Sequence, residues 1–566
     1  MNDFVAVNNA LQVLGLDNGS VSSAVRDALL GALRALPPTT LSENGAPAIS
    51  LGGMITSTKT EDELWGCLLA LNTLAVRSSS QASVLLVAFQ PVRAKLHDPL
   101  ARQDILRLIA YIRDISDGKG EREITYFLLN EIVADGYAAD VKRLLKLFPT
   151  VGYGYWGDLV NFYSRVSSSD FKLWILKTLM HQARQDERLL IQAAKLSTTK
   201  PNISLLGKWL PSEKGQNDFV ANDLAMLMYP GKGGKHALVR YRHLCSKLRK
   251  HLQVVERFMS ANQWGSIDPS ATPSKAMKKY RKVFSNAKGL PDPGRVLLAE
   301  KLMQLISGKM PGKTIKTKGL QFYELIKVYI DGGSLDDVIE AQAKTIINDM
   351  QVLVRNGNFP ISVALCDVSG SMSGIPMIVS IALGILLANI MPAPWAGRVI
   401  TFESTPQWVT ISGFSSIWEQ VRVLQGAPWG GSTNFTAAVN LILQEALMNK
   451  TVAMPAFLFC FTDMQFDAAS EDKHFVIDVL KANFRRYQLV MPKLVLWNLR
   501  ASGTCSFASD KDTLGVGMLS GFSQSAFKAF MTGCDFDKMT PMSLLKEALH
   551  SPRYDAAAGC CVETTV

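Results

Sequence analysis

Five oxygen-bearing side chains stand out by type and spacing. Asp367, Ser369 and Ser371 lie in Asp-Val-Ser-Gly-Ser, Thr433 lies in Gly-Gly-Ser-Thr-Asn-Phe, and Asp463 lies in Phe-Thr-Asp-Met-Gln-Phe-Asp. Carboxylates and hydroxyls are hard ligands suited to Mg²⁺ or Mn²⁺. Taken alone, Asp-x-Ser-x-Ser also reads as a polar turn capping a helix. Three separated segments offering the same donor chemistry argue for a site. Asp467 and Glu403 are further candidates nearby in sequence. No activated Ser, Cys–His pair or general base accompanies them. His474 is the only His between Asp367 and His550, and it reads as a surface residue on a helix. Catalysis is therefore not expected. A metal-dependent phosphoryl or nuclease reaction would need a nearby base or a second metal about 4 Å from the first.

Such donors need rigid elements behind them. The apolar, β-branched run 361–367 reads as a buried strand ending in Asp367, and 456–462 as a second ending beside Asp463. Between and after them the chain alternates. Helices are expected at 376–390, 415–424, from Thr433 to Met448, and at 472–484, 523–531 and 542–549. Strands are expected at 398–403, 407–412, 493–498 and 515–519. This alternation predicts a mostly parallel, doubly wound sheet over 356–555, with ligands outside the strands' carboxyl ends. The uncharged stretch Ile375 to Met391 is slightly short for a membrane span and is bracketed by Pro376, Pro392 and Pro394. It reads as a buried helix.

Residues 1–355 read differently. Helices are expected before Leu36-Pro37-Pro38, then at Glu61 to Ala75, Ser83 to Lys95, Gln103 to Ile115, Glu123 to Val133, Ala139 to Leu147 and Leu335 to Val354. Their helix–turn–helix rhythm suggests a HEAT-like solenoid or ring, without a strict period. Residues 556–566 read as a flexible tail. Gly118-Lys-Gly-Glu-Arg122 follows a helix and lacks the spacing of a phosphate loop, which excludes that class of NTPase.

The chain carries a formal net charge of +11, compatible with an anionic partner. The candidate nucleic-acid ligands are Lys208, Arg240, Arg242, Lys247, Arg249, Lys250, Lys278, Lys279, Arg281 and Lys282. Further lysines lie at 309, 313, 316 and 318, and Tyr241, Trp264 and Tyr280 are interleaved. On one surface these would neutralise phosphates and stack on bases. The alternative is a set of ordinary solvated helix faces with the aromatics in the core. Eight cysteines show no CxxC pair and no regular spacing. They read as reduced thiols of a cytoplasmic protein.

The five-residue donor set resembles the metal-ion-dependent adhesion site (MIDAS) of von Willebrand factor A (vWA) domains. That resemblance implies that Ser369, Ser371 and Thr433 touch the cation, with Asp367 and Asp463 binding directly or through water. An open coordination position would take an acidic group of a protein partner or a phosphate oxygen. The order of parts resembles the Ro/TROVE ribonucleoproteins, which implies RNA binding by the helical part. A closer resemblance is to the DUF2828-like family. It rests on Ser42-Glu-Asn-Gly-Ala-Pro47, Gly118-Lys-Gly-Glu-Arg122, Gly154-Tyr-Trp-Gly-Asp-Leu159, Lys208-Trp-Leu-Pro-Ser-Glu-Lys214, Pro428-Trp-Gly-Gly-Ser-Thr-Asn-Phe435 and Thr462-Asp-Met-Gln-Phe-Asp467. Ala343 departs from that pattern, standing where Glu-x-Gln-Trp would place Trp. These readings imply a non-enzymatic scaffold for RNA and an acidic partner. The competing reading is a protein–protein assembly factor with metal-dependent adhesion and no RNA role.

Overall fold

The computed structural model describes residues 60–77, 81–196, 201–231, 233–358, 360–402, 406–427, 435–449, 453–463, 473–500, 514–527, 530 and 538–561. The helices expected before residue 40, Thr433, Glu403 and Asp467 lie outside them, as do the last five residues. By contacts the chain forms two units. One comprises residues up to 108, 321–335 and 346–555, and the other comprises 109–320, 336–345 and 556–566. This grouping differs from the single break drawn at 355. The helix Thr60–Leu74 lies in the sheet-bearing unit, where Asn498 Nδ2 donates to Thr73 O and Ser520 Oγ donates to Asn72 O.

In the first unit six strands make one sheet: β1 Ser362–Asp367, β2 Arg398–Phe402, β3 Gln407–Thr410, β4 Phe457–Thr462, β5 Lys493–Asn498 and β6 Val516–Ser520. Their order is β3-β2-β1-β4-β5-β6, and every pairing is parallel except β2 with β3. β1 and β4 are buried at every residue, as continuous apolar runs require in a sheet covered on both faces. Phe457, Phe459 and Phe461 alternate along β4 and share one face. Phe459 meets Phe527 at 5.1 Å, and Phe457 meets Phe530 edge-on at 5.4 Å between centroids.

The uncharged segment forms the helix Ile375–Ile390, with nearly all of its residues buried, as expected for a helix apolar all round. Among the described residues no helix is long and apolar enough to cross a membrane. This helix approaches β1 closely at Gly384, where an added Cβ would lie 2.3 Å from Cys366 Sγ. Gly384→Ala is therefore expected to cost about 1–3 kcal/mol by overpacking, read as a lower denaturation midpoint with an unchanged m-value.

The second unit is helical. Its core is fixed by a polar group that the sequence does not advertise. Asp158 is buried and accepts from Arg113 Nε at 2.9 Å, Arg113 Nη2 at 2.8 Å, Tyr126 Oη at 2.6 Å and the Tyr155 backbone N–H at 2.6 Å. The charged glycine loop after this arginine is not a solvated one. Lys119 and Glu121 are buried, and burial pulls the Lys119 ammonium down to about 7. A Cβ on Gly118 would lie 2.1 Å from Tyr111 O, so only glycine fits where the loop closes on the helix Pro99–Arg113. The flexible tail expected from 556 is ordered at its start, with Ala557, Ala558 and Cys560 buried.

Candidate metal centre and basic surface

Strand order reverses between β1 and β4, because β1 leads outward to β2 while β4 begins the other half of the sheet. Open α/β sheets bind ligands in the crevice that such a reversal leaves at the carboxyl ends. Asp367 ends β1 and Asp463 follows β4, so both carboxylates stand at that crevice, and both are fully buried.

The sequence folds locally to aim its oxygens. Asp367 Oδ1 accepts the Ser369 N–H at 2.9 Å, an Asx-type turn that carries the chain off the strand. The short helical turn Gly370–Met372 then brings Ser371 Oγ within 2.9 Å of Ser369 Oγ. Ser369 is 8% exposed and Ser371 is half-buried, so the hydroxyl pair lies less deeply than the two carboxylates. Thr462 was not anticipated as a site residue. Its Oγ1 donates to Asp367 Oδ2 at 2.7 Å. The pairing Cys366↔Phe461 places the next residues, Asp367 and Thr462, side by side. Only the strand register reveals that pairing, since the two are far apart in sequence.

Burial pushes the Asp367 carboxyl up to about 6 against the hydrogen bonds from Ser369 and Thr462, and the charge of Asp463 adds to the rise. Two desolvated carboxylates beside two hydroxyls are a donor set that a hard divalent cation fits, since its charge offsets the crowding. Among the described residues no three His, Cys, Asp or Glu side chains gather as a metal-binding group. The donor character here rests on two carboxylates with hydroxyls. Of the neighbouring thiols, Cys366 is turned to the covering helix, where its Sγ donates to Ser380 O and packs at Gly384, and burial raises both Cys366 and Cys460.

The basic candidates divide into two groups. Along the helix Gly234–His251, Ala237, Tyr241, Leu244, Cys245 and Leu248 form the buried stripe. Arg240, Arg242, Lys247 and Lys250 lie exposed. Arg242 pairs with Glu213 at 3.1 Å, Lys247 with Glu187 at 3.7 Å, and Arg240 lies over the Tyr229 ring at 5.7 Å. Arg249 is spent inside the fold. It donates to Gly207 O at 3.2 Å, Leu210 O at 2.6 Å and Ser212 Oγ at 3.0 Å. Arg281 is likewise held by Asp336 at 2.8 Å. Lys208, Lys279 and Lys282 are exposed, and Lys278 is half-buried. Two of the three interleaved aromatics are core residues. Tyr241 is 1% exposed and donates to Pro211 O, and Trp264 is 5% exposed beneath Arg295. Tyr280 is half-buried and donates to Glu256 at 3.0 Å.

The fold and site define a mixed α/β protein whose sheet carries an oxygen-rich crevice at its strand reversal. Residues 172–290 match the family described as Domain of unknown function (DUF2828), and residues 361–553 match Domain of unknown function (DUF7788). The chain is similar to an uncharacterized protein of Acanthamoeba polyphaga mimivirus, with 34% identity over 465 residues, 78% of each chain. The chain belongs to the DUF2828 family.

Proposed function

We propose that this chain is a non-enzymatic scaffold with a divalent-cation adhesion site on the sheet and an RNA-binding surface on the helices. In this reading the sheet-bearing unit is of vWA type, and Asp367, Ser369, Ser371 and Asp463, with Thr433, hold Mg²⁺ or Mn²⁺. The observation that carries it is the convergence of Asp367, the Ser369–Ser371 hydroxyl pair and Asp463 at the point of strand reversal. Hydroxyl-rich coordination with few direct charges leaves the cation electrophilic toward a partner's carboxylate or a phosphate oxygen. The helical part is taken as a HEAT-like, Ro-like arc working in the cytoplasm, and its exposed cations Lys208, Arg240, Lys250, Lys279 and Lys282 neutralise phosphates.

The engagement of Arg242, Lys247, Arg249 and Arg281 by protein groups favours a second reading. There the charge is structural, and the cation site serves protein–protein assembly alone. Titration of the purified protein with a mixed RNA pool across a salt series separates the two. The scaffold reading expects binding that weakens steeply with salt and is lost in the variant Lys250→Glu, Lys279→Glu, Lys282→Glu. Absence of binding at moderate salt would leave the assembly reading.

A further inference from the structure

An exposed aromatic ring stands where two basic segments, distant in sequence, meet within the helical unit. Trp209 is 39% exposed. It stacks on Tyr155 with centroids 5.2 Å apart and planes inclined by 25°. Gly157 makes that seat possible, because an added Cβ would lie 2.4 Å from Trp209 Cε3. Tyr155 is itself held from below. Its backbone N–H donates to the buried Asp158 carboxylate, and the Arg113 guanidinium lies 5.9 Å from its ring centroid. The stack is therefore a fixed surface rather than a loose side chain.

Lysines flank it on two sides. Lys208 precedes Trp209 and is exposed. On the other side, a Cβ on Gly319 would lie 2.9 Å from Tyr155 Oη, so the segment 316–319 runs against the stack. That segment is pinned in place. Ser274 Oγ donates to Lys318 O at 2.8 Å, and the buried Gln342 Nε2 donates to both Ser274 O and Lys316 O at 3.1 Å. The Lys316 and Lys318 side chains remain exposed, and Lys316 Nζ uses one donor on Ala271 O. Desolvation first, and then the like charge of Lys316, lowers the Lys208 ammonium below the usual lysine range, which places the two cations in one field. Glu256 opposes this as a smaller effect, so two like charges stand in one field beside a part-exposed indole.

We propose that Trp209, seated on Tyr155, is a stacking platform for an unpaired base of a single-stranded polynucleotide, with the flanking phosphates held by Lys208, Lys316 and Lys318. An exposed indole offers a sequence-tolerant face to any base, and lysines beside it track the backbone. A duplex keeps its bases inside and cannot use such a face. This rests on the RNA-binding reading above and narrows it to single strands and to one position.

The test is binding of the full chain to a short oligouridylate, to an oligothymidylate of equal length and to a duplex RNA, in wild type, Trp209→Leu, Trp209→Phe and Lys208→Gln/Lys316→Gln. Trp209→Leu is expected to weaken single-strand binding by about fivefold to a hundredfold, while Trp209→Phe retains most of it. The lysine pair is expected to lower the salt slope by roughly one to two. Photocrosslinking of wild type to a thiouridine-bearing strand should map to Trp209 or Tyr155, which tests the placement without relying on any variant's folding. Equal loss for uridylate and thymidylate would assign a site for single strands of either sugar, and loss for uridylate alone would assign RNA. Unchanged binding in Trp209→Leu, or crosslinks only elsewhere, would overturn the platform while leaving RNA binding intact. No binding of wild type to any strand at low salt would overturn both.

Discussion

Asp158→Ala is expected to destabilise the helical unit by about 3–5 kcal/mol, because it strands a buried guanidinium. The Arg113 side chain is 3% exposed and gives two hydrogen bonds to this one carboxylate. Tyr126 and the Tyr155 N–H lose their acceptor at the same time. Most domains are stable by only about 5–15 kcal/mol, so such a loss consumes a large share of the margin. Urea denaturation of Asp158→Ala, Arg113→Met and the double variant checks this. The double variant is expected to recover part of the loss, because it removes the orphaned charge. A single-variant loss below about 1 kcal/mol would show that water reaches Arg113 and carries its charge instead.

Asp367→Asn and Ser369→Ala are expected to abolish divalent-cation binding with the fold retained. Asp158 holds a buried guanidinium, whereas Asp367 is held by a backbone N–H and a hydroxyl. Burial and the charge of Asp463 already disfavour the ionised form of Asp367, so removing that charge relieves the metal-free protein. Asparagine keeps an acceptor oxygen for the Ser369 N–H, and its amide NH2, standing where Oδ2 stood, donates to the Thr462 hydroxyl, which turns from donor to acceptor. Circular dichroism should then match that of the wild type measured in chelator, with the thermal midpoint of Asp367→Asn at or above it. The wild type alone should gain stability when Mg²⁺ or Mn²⁺ is added, as ligand linkage requires. Global unfolding of either variant would assign these side chains to structure rather than to binding.

The elements that carry the site were legible because their patterns are local. The runs at 361–367 and 456–462 are continuous, apolar and bounded by carboxylates, and they fold as β1 and β4. The helix Ile375–Ile390 follows from an uncharged stretch closed by prolines. What stayed hidden depends on partners remote in sequence. Thr462 contacts Asp367 only through the strand register. Gln342, in the segment where a Trp was expected at Ala343, proves to pin the basic loop at Lys316 to Ser274. Arg249 follows Cys245 by one helical turn and so lies at the edge of the buried stripe, where it turns inward to backbone carbonyls. Tyr241 and Trp264 read equally well as stackers or as core, since composition does not distinguish an exposed ring from a packed one. Trp209 was visible only as part of a motif. Its exposure and its seat on Gly157 required the fold.

In the proposed function, the crevice between β1 and β4 takes up a divalent cation. Calorimetric titration of chelator-stripped protein with Mn²⁺, run in parallel on Asp367→Asn, measures it directly. A saturable transition at one ion per chain in the wild type, absent from the variant while the fold is unchanged, is the predicted result. Identical isotherms for the two proteins, or no heat in either, would contradict it.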